Sequence, residues 1–286
     1  VSDAEKLRLL CVTGAVPRYL EEIRPRQSVA QNIKRMCFSP EGLLFSEFEK
    51  IFHDIFARRS GSFKRIVHAL SGPALQPGEL CQALGVKPTG DLSEKLAILV
   101  ASGMVARDYS WDLSGQQTAI SRYRIRDNYL RFYLRYIDGG HSKIAQGLYR
   151  DVHLENLHRW DTIIGLQLEN LILNNLTALI RRLDIAPESI ISASPYRQHQ
   201  TKRHDACQVD LLIHTRNSVV YVCEIKFRGK IENLVIAELR QKIKRMLGMA
   251  GRSIRPVLIY HGELAPGIKE SDFFSYLIPV GEFLHQ

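Results

Sequence analysis

Apolar positions recur at helical steps from Ser2 to about Arg58. Leu7, Leu10 and Cys11 share one side of an opening helix, and GAVPRYLEEI and VAQNIKRMCF predict two more. In EGLLFSEFEKIFHDIF, Leu44, Phe45, Phe48, Ile51, Phe52 and Ile55 lie three and four residues apart, an amphipathic helix whose aromatic stripe serves as core. Pro17 suits a first helical turn after the turn residue Gly14. The polar run Arg59-Ser60-Gly61-Ser62 predicts a break and a domain boundary.

Beyond that break the pattern predicts helix, helix, helix and ribbon: FKRIVHAL, PGELCQALG, GDLSEKLAILVASG, then the alternating runs MVARDY and SRYRIRD. This is the winged-helix order, and such domains place the third helix, here Lys87 to Ser102, in the major groove. That helix carries only Lys87 and Lys95 against Asp91 and Glu94, so packing is as natural a role as reading DNA. DNYLRFYLRYIDGGHSKIAQGLY interleaves aromatics with arginines, a pattern that suits either stacking on nucleic-acid bases or burial in a core, and Gly139-Gly140 ends its helix.

A long helix is expected from Trp160 to about Asp184, with Glu169 in line with Ile172, Leu176 and Ile180 on its core-facing side. Strands follow near Ser189 to Ala193 and through the hairpin VDLLIHTRNSVVYVCEIKF. A basic helix over Glu232 to Gly248 precedes two further strands in RPVLIYHG and FFSYLIPVGEF. The order α, β-β-β, α, β-β predicts an α/β domain with a mixed sheet.

Length changes the picture first: 286 residues exceed what one core usually supports, so two or three domains are expected. No apolar run approaches the roughly 18 to 20 residues that span a bilayer, and no signal-like start is seen. The five cysteines are scattered and form no C-x-x-C pair, which argues against a disulfide framework and suits a reducing cytoplasm. Net charge is +9, and thirteen Lys and Arg stand against five acids between Tyr196 and Pro256, an excess of eight. A polyanion such as DNA fits that segment, as does a merely solvated basic face. No G-x-S-x-G, strand-linked G-x-G-x-x-G or GxxxxGK[ST] occurs, so the chain offers no ATP site of its own.

The chemistry concentrates in the hairpin. Alternation puts Val220, Val222, Glu224 and Lys226 on one face of their strand. An odd loop centred on Asn217, such as Arg216-Asn217-Ser218, sets Asp210 opposite Glu224, whereas a two-residue loop sets it opposite Cys223 and sends it to the other face. Opposed carboxylates repel unless a cation lies between them, and hard oxygen donors suit Mg²⁺ or Mn²⁺. Lys226 beside them suits orientation of an attacking water, and Glu169 an outer water or second ion. The alternative is a surface hairpin with an incidental Glu224–Lys226 salt bridge. His199, His204, Cys207 and His214 match no ordinary zinc spacing.

In order, these segments resemble the C-terminal part of archaeal-type AAA+ ATPases: GAVPRYLEEI the lid, SRYRIRDNYLRFYLRYI the winged-helix signature, and the remainder the PD-(D/E)XK nuclease-like domain they carry. The resemblance implies a multidomain α/β chain. Residues 1–58 form a helical lid-like segment, 59–126 a winged helix, 127–158 a helical connector and 159–286 a restriction-endonuclease-like domain. It implies Asp210 and Glu224 as metal ligands, Lys226 as catalytic lysine, Glu169 as helix carboxylate and Gln241 as a further polar site residue. Val209 stands where the motif's Pro would be. Arg228, Lys230, Lys242, Lys244 and Arg245 are the cations expected to hold a DNA backbone. A P-loop core would precede residue 1, so ATP belongs to a parent protein. The partners expected are DNA, an ATPase domain or a second copy, and no membrane. Metal-dependent DNA cleavage is the leading expectation, beside an inactive DNA- or protein-binding module of the same ATPase and a winged-helix transcriptional regulator.

Overall fold

The computed structural model describes residues 2–56, 60–112, 115–202 and 204–285. Arg59, at the expected boundary, and Arg203, one of the thirteen cations, lie outside the described residues. The chain runs α1 (Asp3–Thr13), α2 (Pro17–Glu21), α3 (Val29–Cys37), α4 (Leu43–Phe56), α5 (Ser60–Ala69), α6 (Pro77–Leu84), α7 (Gly90–Ala101), β1 (Val105–Trp111) and β2 (Gln117–Ile125). It continues through α8 (Asn128–Phe132), α9 (His141–Ala145), α10 (Trp160–Asn174), α11 (Leu176–Arg182), β3 (Ile190–Gln198), β4 (Cys207–Thr215) and β5 (Val219–Ile231). Then come α12 (Leu234–Arg245), β6 (Ser253–Leu264), α13 (Pro266–Glu270) and β7 (Tyr276–Pro279). Two compact units emerge: residues 1–107 with 122–171, and residues 108–121 with 172–286. This division is coarser than the four segments expected from sequence.

Local chemistry accounts for most helix starts in the first unit. Ser2 and Ser28 cap α1 and α3 in reciprocal capping boxes with Glu5 and Gln31, and Pro17 opens α2. The aromatic stripe of α4 is core: Phe45, Phe48, Phe52 and Phe56 are buried, whereas Ile55 at its end is 49% exposed. Of the run expected as a break, Ser60, Gly61 and Ser62 form the first turn of α5, a helix separate from α4. Three helices and a two-stranded ribbon follow in the order read from sequence.

The segment YRIRDNYLRFYLRY is buried, which decides between a base-stacking platform and a core. Tyr129, Phe132, Tyr133 and Tyr136 are all shielded from solvent. The Tyr129 hydroxyl donates to the Leu44 carbonyl at 2.8 Å and accepts from the Phe48 amide at 2.9 Å. The helix widens into a π turn over Tyr133–Ile137. Burying its cations requires partners, and α10 supplies them. Arg131 donates to Gln167 Oε1 at 2.7 Å and to the Ile125 carbonyl at 3.0 Å. Gln167 Nε2 donates to the Cys11 and Asn128 carbonyls, and Arg124 donates to Asn170 Oδ1.

The expected single helix from Trp160 to Asp184 is two helices, bent by 74° at Asn175, whose φ and ψ of −122° and 36° leave the helical region. Asn174-Asn175 offers side-chain amides that compete for backbone partners, a mechanism that interrupts helices. Leu176 and Ile180 therefore cannot be used to phase Glu169.

In the second unit, β3-β4-β5-β6-β7 form one five-stranded mixed sheet, antiparallel from β3 to β5 and parallel from β5 to β7. The fold is thus mixed α/β. Leu239 of α12 and Met246 just past its end pack on Leu212, Val220 and Val222, and Val235 and Ile268 join Leu258 in a second cluster. The last run, FFSYLIPVGEF, is a strand only over Tyr276–Pro279 and turns into a 3₁₀ helix at Val280. The five cysteines are buried and free. Among the described residues no single helix is long and apolar enough to cross a membrane.

Candidate active site

The β4–β5 register is the odd one. Leu211 pairs with Cys223, Leu212 with Val222, Ile213 with Tyr221 and His214 with Val220, so Arg216-Asn217-Ser218 is the loop. The ladder ends at Leu211–Cys223; carried one step further, its register sets Asp210 opposite Glu224. The turn works because Ser218 takes a left-handed φ of 58°, the conformation that ends a three-residue hairpin loop. The Thr215 hydroxyl, donating to the Val219 carbonyl at 3.0 Å, closes it.

Asp210 is set by a bulge. Ser194 pairs with Leu212 but Tyr196 with Val209, so Asp210 and Leu211 together oppose Pro195 alone. Proline donates no backbone hydrogen bond, which makes this the cheap place for an extra residue in the ladder, and bulges re-aim the side chains they carry. The Asp210 carboxylate accepts the Ile225 amide at 2.8 Å, across on β5. A second bulge follows Phe227: Phe227 pairs with His261 and Lys230 with Glu263, leaving Arg228 and Gly229 against Gly262. Gly262 has φ 125° there, and a Cβ on it would strike the Arg228 carbonyl oxygen.

Glu224 is 2% exposed and is held at both oxygens. Its Oε1 lies 2.7 Å from Lys226 Nζ and its Oε2 2.6 Å from Lys242 Nζ. Lys226 also approaches Glu238 of α12 at 3.8 Å. Asp210 keeps part of its surface open, but its carboxyl is densely surrounded. Burial first, then the Glu224 charge, push its pKa up to about 6, against the Ile225 amide, Lys242 and Lys226, which pull it down. Burial alone would lower Lys242, but Glu224 and Asp210 outweigh it and its pKa is raised.

The hairpin and α12 thus bring together Asp210, Glu224, Lys226 and Lys242. Lys242 was expected only as a backbone-binding cation. The helix turns it onto Glu224, one residue beyond Gln241, which is exposed. Glu169 sits on α10 in the first unit, half-buried, with the buried Arg131 among the charges it acts on. Arg228, Lys230, Lys244 and Arg245 are exposed; Lys230 pairs with Glu232 at 3.0 Å and Arg245 approaches Asp205 at 3.6 Å. The alternation and loop length of the hairpin signalled three of the four central groups, Asp210, Glu224 and Lys226. The signal for Lys242 was weaker: Val235 and Leu239, seven and three residues before it, mark the core face of α12.

Among the described residues no group of three or more His, Cys, Asp or Glu is arranged to hold a metal. The oxygen donors on hand are the Asp210 and Glu224 carboxylates, of a hardness that fits Mg²⁺ or Mn²⁺ completed by water. Cys207 and His214, from the zinc alternative, are buried in β4.

No protein-family model matches the chain, and no curated protein matches it. Among solved structures it is similar to a repair endonuclease from Pyrococcus abyssi, at 19% identity and a TM-score of 0.27 over 38% of this chain and 42% of that one. It is also similar to protein VC1899 from Vibrio cholerae, at 12% identity and a TM-score of 0.33 over 82% of this chain and 50% of that one. The chain spans half the length of these structures or less. At such scores neither likeness assigns an activity.

Proposed function

We propose that the second unit hydrolyses DNA phosphodiesters with a divalent metal, and that Asp210, Glu224, Lys226 and Lys242 are its site. The observation that carries this reading is the placement of two carboxylates opposite each other at a bulge, one of them buried between two lysines. A sheet interior has no structural need for such charges, because removing them from water is costly. Asp210 and Glu224 would hold Mg²⁺ or Mn²⁺; burial first, and then the Glu224 charge, raise the pKa of Asp210, and a cation between the carboxylates would offset both. The ion, when bound, supplies neutralisation of a phosphoryl oxygen. Lys226 Nζ, anchored at Glu224 Oε1, orients the attacking water, and Lys242 Nζ faces the charge that develops on the phosphorus substituents. Arg228, Lys230, Lys244 and Arg245 hold the backbone of the strand.

The wider reading, a AAA+ ATPase whose P-loop core lies elsewhere, rests on the sequence resemblance. Residues 1–58 serve as its lid and residues 59–126 as its winged helix; ATP then acts only in the parent protein. The distal ribbon, residues 108–121, groups with the second unit, where Gly115 lies against Ile191. That favours a packing role for the ribbon over groove reading, and so disfavours the transcriptional regulator.

A second reading has its own support: both Glu224 oxygens are already taken by lysines, which suits a non-catalytic DNA- or protein-binding module. Plasmid incubated with Mg²⁺ or Mn²⁺ separates the two. Nicking by the parent chain that is lost in Asp210→Ala and Lys226→Ala is expected. Equal nicking by all three would remove the nuclease reading, and DNA binding without nicking would select the module.

A further inference from the structure

A second basic cluster lies in the first unit, independent of the hairpin site. A cavity of about 340 Å³ opens between the end of α3, the Ser39–Gly42 turn and the end of α9, and Lys34, Arg35 and Arg150 line it against one carboxylate, Glu41. Its frame is built. The Ser39 hydroxyl donates to the Arg35 carbonyl at 2.6 Å, and Gly42 lies so close over the carbonyls of Arg35 and Met36 that a Cβ there would collide with them. Phe38 forms the floor, stacked on Tyr149 with ring centroids 5.8 Å apart. Gly147, left-handed at φ 76°, turns the chain so that Arg150 closes the far wall.

The cations are poorly compensated. Arg35 donates to the Glu22 carbonyl and to Asn32 Oδ1, yet its Nε is buried without a hydrogen-bond partner. Burial, then the neighbouring Arg24, lower its pKa, the direction expected where positive charge is in excess. Lys34 and Arg35 sit in the last turn of α3, where a helix dipole equivalent to about half a charge favours cations. Half a charge offsets little of three, and it accounts neither for Arg150 nor for the hollow between them.

We propose that this cavity binds a small phosphate-bearing anion, of the size of a sugar phosphate or a mononucleotide. Its volume falls at the lower end of small-molecule sites, which begin at about 300 Å³. Recessed walls suit a compact anion better than a nucleic-acid strand, which tracks a groove.

Titration calorimetry of the full chain in EDTA tests it, with inorganic pyrophosphate, adenosine monophosphate and a single-stranded oligonucleotide as separate probes. Pyrophosphate or the nucleotide is expected to bind saturably, at least tenfold more weakly to Lys34→Ala/Arg150→Ala. Unchanged affinity is expected in Lys226→Ala, at the hairpin, and in Lys50→Ala/Lys87→Ala, which removes equal charge outside the cavity. Lys34 and Arg150 are not core residues, and melting curves verify that the double variant folds. Failure of both small anions to bind, equal weakening in both double variants, or binding of the oligonucleotide alone would each overturn the proposal.

Discussion

Glu224 holds a lysine on each oxygen, so Glu224→Ala strands two ammonium groups beside a desolvated wall. Removing one partner of a fully buried pair costs about 3–5 kcal/mol. Lys226 and Lys242 keep some contact with water, so a loss of roughly 2 kcal/mol is expected, read from urea unfolding in EDTA. Asp210 acts in the opposite direction. Its folded pKa, about 6, lies above the ordinary carboxylate value, so the folded chain holds this proton more tightly than the unfolded one. Its contribution to stability is therefore full below about pH 4, falls as pH rises through the folded pKa and is flat beyond it. Asp210→Asn, which never ionises, should gain stability relative to the parent between about pH 4 and 6 and hold that gain at pH 8. A constant difference across that range would mean that Asp210 is not held protonated by its surroundings.

At the scale of elements, the hairpin depends on one strained residue. Ser218 carries a side chain at a left-handed φ, a conformation that costs a non-glycine residue about 1 kcal/mol. Ser218→Gly should raise stability by about that amount, whereas Ser218→Val should lower it and loosen the register, measured by chemical denaturation and by the Asp210 pH response. The register was legible because alternation over Leu211–His214 and Val220–Cys223 leaves only an odd or an even loop to choose between. The bulge at Asp210 was less so: Pro195 announces a gap in a ladder, but not which strand β3 lies beside. Lys242 and Gln241 differ by one residue, or 100° of helix rotation, and sequence sets the phase of α12 only through Val235 and Leu239. The break at Asn175 was hidden because Leu176, Leu179 and Ile180 continue an apolar pattern through the bend. A periodic pattern records which residues are covered and is silent on whether the axis stays straight.

At the scale of the whole chain, the two units derive stability from different chemistry. The first is locked by buried polar groups: Gln167 is 0% exposed, donates to two carbonyls and accepts from Arg131. Gln167→Leu takes one acceptor from that guanidinium, which keeps the Ile125 carbonyl, and leaves the Cys11 and Asn128 carbonyls without their donor, a loss of roughly 2 kcal/mol on the scale of buried polar groups left unsatisfied. The second unit gains instead from ligand binding, under the proposed reading, because a metal at 100 times its dissociation constant adds about 2.7 kcal/mol to the unit that binds it. Calorimetry should then resolve two transitions that respond separately. Gln167→Leu should lower one in EDTA, and Mn²⁺ should raise the other in the parent chain but not in Asp210→Ala. A single transition shifted by both treatments would mean that the units unfold as one body. A Mn²⁺ shift that survives Asp210→Ala would place the ion away from the hairpin and sever the link between the opposed carboxylates and metal chemistry.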